Sequence, residues 1–428
     1  MTGRYDRWVL VVMVVLILIG LVAVYSSTSI ISPDAAQKFE KKGQSVSQFG
    51  FVKKQLLTVL LGIAALLIAS RVPFTYLKKA AVPLLVLSLF LLLLVFTKLG
   101  VGAGGAKRWL RLWPSVFQPS ELVKIAMVVF LSWYMSHRSY RTDSFKVFLI
   151  PIGVMGSFQV VFLKQPDFGA VMSLGLLTLC MLFLSGMRLR YLVYLGVVAV
   201  PVVGKLISEP YRWKRFVAFL NPWKDPQGSG FQLIQSFIAL GSGGTTGVGL
   251  GEGKQKLSFL PEVHTDFIFS LIGEEVGFLG AFLVVLLFFV LFLRGIAIAR
   301  KAGDPFAYYL AFGISVMLAT QALINFAVVT GMVPTKGLPL PFISYGGSSL
   351  IVSMIAIGLL LNVSRGRQHP IAEESAPLHD ADLPCHVRVS PPPRMSAGTA
   401  PCTRWQRGLG YRHCRSRALR EPRSFENG

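Results

Sequence analysis

The chain has 428 residues, of which 53% are hydrophobic and only 15% charged, and it carries a formal net charge of +23. A soluble domain of this size holds nearer a quarter charged residues, whereas here apolar residues run in unbroken blocks, which excludes an ordinary soluble enzyme. The four cysteines have neither metal nor redox spacing, which argues against a disulfide framework. Basic residues scattered among short connections argue against nucleic acid and leave anionic headgroups or a polyanionic substrate.

Trp8 to Ser26 contains no charge. It is long enough to cross roughly 30 Å of hydrocarbon as a helix, and longer than the apolar core of a signal peptide, so it reads as an uncleaved first membrane helix. Charge-poor stretches predict about ten helices, over 8–26, 54–70, 80–98, 120–136, 147–163, 168–186, 190–206, 266–293, 306–330 and 344–363. The expected fold class is an all-α integral membrane protein, with a membrane domain over 1–363. One connection, about 207–265, is long, Gly-rich and aromatic. Within it Phe231, Ile234, Phe237 and Ile238 predict a short amphipathic helix on or dipping into the membrane surface. From Ser364 the chain turns Arg-rich without lysine or periodicity. It reads as a disordered basic tail, 364–428, or as out-of-frame translation of a terminus.

An even helix count puts both ends on one side. With the ends inside, Arg71, Lys78, Arg138, Arg294 and Arg300 fall in inner connections. Yet Lys41, Lys42, Lys107, Arg108, Arg111, Arg212, Lys214, Arg215 and Lys336 fall outside. That outer excess runs against the positive-inside tendency and calls for a bound anion.

Ionisable groups at the mouth of a membrane bundle are costly and therefore candidates. In GGAKRWLRLWPSVFQPSELVK, Lys107, Arg108 and Arg111 interleave with Trp109 and Trp113, as an anion site or as an interfacial anchor. Glu121 and Lys124 are three apart and share a helix face, where they can pair. In KQPDFG, Asp167 either belongs to the site or caps the next helix. Arg212 and Arg215 of YRWKRF repeat the basic–aromatic pattern. Asp266, Ser270, Glu274 and Gly277 form one stripe if a single helix begins near 266, with Glu274 about 12 Å deeper than Asp266 at 1.5 Å per residue. Such a stripe faces protein or water, not lipid; its bland alternative makes Asp266 an N-cap and Glu274 a structural hydrogen-bonder. In PTKGLPLPFISYGGSSL, Ser344 and Ser348 with their glycines open the last helix near Lys336. That is either close helix packing or a helix N-terminus that binds an anion.

Together these stretches resemble the SEDS family of RodA, FtsW and SpoVE over roughly residues 5–365. NPWKDP at Asn221, PEVHTDFIF at Pro261 and PTKG at Pro334 look like the FtsW branch of that family. The resemblance implies ten helices, cytoplasmic termini in the bacterial inner membrane, and a large periplasmic loop between helices seven and eight. It implies polymerisation of lipid II onto a growing glycan strand at the division septum, beside a class B penicillin-binding protein and other divisome proteins. By the same resemblance Asp266 is the essential catalytic residue, Glu121 and Lys124 belong to the central cavity, and Arg108 and Lys336 occupy motif positions. The tail matches no family terminus, and Phe168 stands where many relatives carry Leu.

The chemistry fits that role. The donor departs as a polyprenyl pyrophosphate, already a good leaving group, so a second carboxylate acting as general acid is less needed than in a glycoside hydrolase. One base for the acceptor hydroxyl and cations for the developing charge suffice. An α-linked donor giving a β-linked product implies single displacement with inversion. The sequence leaves open whether a divalent cation, Mg or Mn, is required. A flippase for lipid II and a non-enzymatic divisome scaffold are the rival classes. The first lacks an internal repeat and a midplane site; the second leaves the Asp266 stripe unexplained.

Overall fold

The computed structural model describes residues 5–28, 48–103, 106–112, 115–138, 145–191, 193–197, 204, 210–255, 265–335 and 337–366. The expected tail beyond Gly366, together with Lys41, Lys42, His264 and Lys336, lies outside these residues. The helices are α1 (Arg7–Thr28), α2 (Gln48–Ala69), α3 (Phe74–Leu94), α4 (Pro119–Arg138), α5 (Phe145–Lys164), α6 (Phe168–Leu184), α7 (Pro210–Leu220), α8 (Phe231–Gly243), α9 (Ile268–Glu275), α10 (Gly277–Arg300), α11 (Pro305–Val329) and α12 (Gly347–Gly366). Among the described residues seven helices are long and apolar enough to cross a membrane, and α6 is a shorter apolar one. The span expected over 190–206 is described only at 190–191, 193–197 and 204, all helical. The chain is thus a predominantly helical membrane protein, and its described part does not fix the count at ten.

Burial sorts the spans. α11 and α12 are each 72% buried within the protein, whereas α2, α3 and α10 are 22–28% buried and turn most of their side chains to lipid. α4 packs against α3, α6 and α11. From Val123 to Leu131 it is buried without a break, so it tolerates Ser132 and the charged pair near its start. An interior helix is screened from lipid by its neighbours, which is why the least apolar span can sit in the middle.

Two departures from the sequence reading shape the site. Residues 100–117 fold into a three-stranded antiparallel sheet, β1 (Gly100–Ala103), β2 (Ala106–Leu112) and β3 (Ser115–Phe117), in the order β1-β2-β3. A bulge falls between Val101 and Gly102. Alternation along β2 sends Lys107 and Arg111 outward and buries Leu110. The basic–aromatic run is therefore a strand, not merely a lead-in to α4.

The second departure is that the span expected as one helix over 266–293 is two, α9 and α10, broken at Val276–Gly277, where Gly277 has φ 75°. The freed backbone groups are met by the loop after α8. Val248 and Gly249 donate to the carbonyls of Glu274 and Glu275, while Phe278 and Leu279 donate to those of Gly244 and Thr245. Irregular backbone at this depth is tolerable because protein, not lipid, supplies its partners. α8 consequently differs from the surface helix expected. It buries Leu233, Ile234, Ser236, Ala239 and Gly243 against α9 and neighbouring spans, and leaves Ile238 exposed.

Candidate active site

The N-termini of α4, α6, α9 and α12 and the sheet all lie at one end of the bundle, with the irregular stretches 330–335 and 337–346 threaded between them. Ser348 ties the sheet to this end. Its hydroxyl accepts from the Gln118 amide (3.0 Å) and donates to the Val116 carbonyl (3.2 Å). Ser344 accepts from the Leu340 amide at 2.8 Å. Ser344 thus holds the segment's own backbone, while Ser348 holds the end of the sheet and the residue that leads into α4.

Below the sheet, Glu121 and Lys124 sit one turn apart at the start of α4 and pair at 2.7 Å, both almost fully buried. Proline-led α4 begins just after β3, so β3 fixes where this pair enters the bundle. Arg108 reaches from β2 to the α5–α6 turn. One guanidinium nitrogen donates to the Pro166 carbonyl at 2.5 Å and another lies 4.0 Å from Asp167. Asp167 also caps α6, accepting from the Ala170 amide at 3.2 Å. The cap reading and the site reading of Asp167 therefore hold together. Burial pushes its carboxyl above the usual range, and the neighbouring Arg108 charge opposes that rise. Lys124 and Glu121 are near enough to act on the same group. Arg108, Glu121, Lys124 and Asp167 form one charged cluster.

Asp266 lies across the 337–343 segment from that cluster. It is half-buried in the turn before α9, which begins only at Ile268. A Cβ on Gly337 would come within 2.6 Å of the Asp266 Oδ2, so the carboxylate lies directly over that backbone. The next residue, Leu338, packs on the opposite side against Gly169 of α6. The segment thus meets Asp266 at Gly337 and the start of α6, two residues after Asp167, at Leu338.

The stripe expected from Asp266 through Glu274 does not survive as a single face, because α9 starts after Asp266 and ends before Gly277. Ser270 meets Ser236 of α8 at 2.7 Å, and Ser236 donates to the Val329 carbonyl. Glu274 accepts from the backbone amides of Lys254 (2.7 Å) and Gln255 (3.2 Å), anchoring the segment that leads toward Asp266. These contacts give Glu274 the structural hydrogen bonds of the second reading. Arg215 is exposed on α7, where Arg212 contributes backbone to the same helix. Among the described residues no three His, Cys, Asp or Glu side chains converge to hold a metal ion.

Two residues that the motifs did not single out complete the arrangement. Gln321 and Asn325, four apart on α11, direct their amides at the irregular segment. Gln321 donates to the Pro339 carbonyl at 3.3 Å, and Asn325 donates to the Asp266 carbonyl at 2.9 Å and the Leu338 carbonyl at 2.7 Å. The signal was legible as two carboxamides at helical spacing inside an apolar span.

The architecture defines a class: a polytopic helical membrane protein whose ionisable groups gather at one mouth, around an irregular segment held by side-chain amides. The family described as "Cell cycle protein", FTSW_RODA_SPOVE, matches residues 6–369. A probable peptidoglycan glycosyltransferase FtsW of Geobacter sulfurreducens is 45% identical over 364 residues, covering 84% of this chain and 95% of the relative. Stage V sporulation protein E of Bacillus subtilis is 40% identical over 363 residues, covering 84% and 97%. A solved chain from a peptidoglycan synthase complex that coordinates polymerization and crosslinking superposes with a TM-score of 0.70 at 29% identity, covering 86% of this chain and 99% of that one. The chain belongs to the FtsW/RodA/SpoVE family.

Proposed function

We propose that this chain is a peptidoglycan glycosyltransferase that polymerises lipid II, with Asp266 as the base at the mouth of the bundle. The observation that carries the reading is the Asp266 carboxylate, half-buried over Gly337 at the end of the bundle that gathers the charged cluster. The relatives named as peptidoglycan glycosyltransferases, matched over most of the chain, support the reaction class.

In the proposed step Asp266 takes the proton from the acceptor sugar hydroxyl. The resulting oxygen attacks the anomeric carbon of the donor, and the bond to pyrophosphate breaks with its electron pair leaving on the phosphate. Attack and departure on opposite faces invert the anomeric centre. Lys107 and Arg111, on the outward face of β2, and Arg108, on its inner face at the α5–α6 turn, supply positive potential where the pyrophosphate accumulates charge. Lys336 and the α7 arginines, Arg212 and Arg215, are assigned to the same anion. The Glu121–Lys124 pair keeps two ionised groups beneath the mouth without net charge.

We place the mouth on the outer face of the bacterial inner membrane, at the septum, with a class B penicillin-binding protein as partner. The peptidoglycan synthase complex among the structural relatives supports a partnered assembly. The test is polymerisation of purified lipid II by the full chain with that partner, wild type against Asp266→Ala. Wild-type product and none from a folded Asp266→Ala protein is expected. Glycan made at a comparable rate by Asp266→Ala would end the assignment, and lipid II translocation without polymerisation would favour the flippase class.

A further inference from the structure

The carboxamide of Asn325 makes an unusual pair of contacts. Its single nitrogen uses both hydrogens, one on the Asp266 carbonyl (2.9 Å) and one on the Leu338 carbonyl (2.7 Å). The side chain is 1% exposed, and its oxygen has no hydrogen-bond partner among the described residues. Reversing the amide would set its oxygen against two carbonyl oxygens, so the network fixes this orientation. A buried carboxamide oxygen without a partner is costly. The two donated bonds are what hold the group in place.

The two carbonyls belong to the two strips of chain that meet at the proposed base. Asp266 is held from below through its own carbonyl. Leu338 follows Gly337, the residue over which the Asp266 carboxylate lies at a distance that would admit no Cβ. Asn325 therefore sets the separation of these strips from within α11, the span that is 72% buried and packs on α4, α6 and α10. Gln321 repeats the contact one turn deeper, on the Pro339 carbonyl. Neither amide reaches out of the core toward the mouth, which marks the pair as holding backbone.

We propose that Asn325 is the positioning residue of this site: it clips the backbone of Asp266 to that of Leu338 and so fixes the carboxylate over Gly337. This rests on the reading of Asp266 as the base. An interaction that aligns a reacting group acts on turnover, and a displacement of about 1 Å can cost on the order of 100-fold. A residue that merely stabilised the fold would lower the yield of folded protein and leave the turnover of what folds unchanged.

The experiment measures kcat and KM for lipid II on purified, partner-bound Asn325→Ala, Gly337→Ala and Asp266→Ala proteins. Gly337→Ala perturbs the same juxtaposition independently. It removes no hydrogen bond, and the added methyl group meets the Asp266 carboxylate. Expected is a fall in kcat of about 10- to 100-fold in both variants, with KM within about twofold of wild type. If Asn325→Ala does not fold, Gly337→Ala decides alone. Wild-type kcat in folded variants, or a raised KM with kcat unchanged, overturns the clip while Asp266→Ala remains inactive. Activity in Asp266→Ala instead overturns the underlying assignment.

Discussion

The two ends of the helix bundle are closed by different chemistry. At the end opposite the site, long side chains bridge helix termini. Arg294 of α10 takes both oxygens of Asp6 at 3.1 and 3.0 Å, the Asp6 amide donates to Ser364 of α12, and Lys78 of α3 pairs with Asp304 at 2.7 Å beside the Phe306 ring. Asp304 also caps α11 through the Phe306 amide. These are contacts at the ends of regular helices, in which Arg294, Lys78 and Asp304 remain about one-third exposed while the Asp6 side chain is buried. At the site end, polar side chains mostly bind backbone: Arg108 to Pro166, Asn325 to Asp266 and Leu338, Gln321 to Pro339, Ser348 to Val116, and Glu274 to Lys254 and Gln255. One end ties helices together; the other holds irregular chain in a fixed shape. The second task rests mostly on partners that fix backbone, so damage there should be felt in catalysis and damage at the first end in modest stability.

The largest effect expected from that contrast is at Asp266. Loss of a general base costs about 100- to 10,000-fold in turnover, and Asp266→Ala should lose at least that in a glycan polymerisation assay while inserting and folding normally. Next comes the Glu121–Lys124 pair. Removing one partner leaves a buried charge uncompensated, so Glu121→Ala or Lys124→Ala should cost about 3–5 kcal/mol in detergent stability. The swap Glu121→Lys with Lys124→Glu should recover part of it. Strictly additive losses in the double-mutant cycle would show that the 2.7 Å contact carries no coupling.

Arg108→Ala should follow, lowering kcat/KM by roughly 10-fold or more through lost charge stabilisation. It should exceed the effect of neutralising Lys41 or Lys42; equal losses at all three would point to a general surface field. The smallest effect belongs to the opposite end. Lys78→Ala should change stability by about 0–1 kcal/mol, because the pair is about one-third exposed, and should leave polymerisation unchanged. A polymerisation defect there would break the division between the two ends.

The legibility of the sequence follows the same division. Regular spans announce themselves by apolar length, and α1, α5, α11 and α12 lie within a few residues of where hydropathy places them. The Glu121–Lys124 contact follows from three-residue spacing, and Asp167 reads as a cap because Pro166 and an apolar run flank it. What hydropathy does not carry is irregular backbone. The sheet over 100–117 was hidden because strands this short alternate too briefly to outweigh the Trp and Arg signals of an interface. The break between α9 and α10 was hidden because Gly277 interrupts neither charge nor hydrophobicity, and its partners lie some thirty residues away in the 244–249 loop. Projecting the Asp266–Glu274 stripe onto one helix was therefore wrong in geometry. Asn325 carries no charge and belongs to no obvious motif, yet it touches both strips of the proposed site.

The most direct measurement is made on Asp266→Asn, which keeps the shape of the side chain and removes its basicity. Binding of lipid II and glycan synthesis should be measured separately on the purified, partner-bound protein. The account predicts lipid II affinity within about threefold of wild type and loss of glycan synthesis by at least about 100-fold. Synthesis close to wild type, or a loss explained entirely by weakened binding, would contradict it.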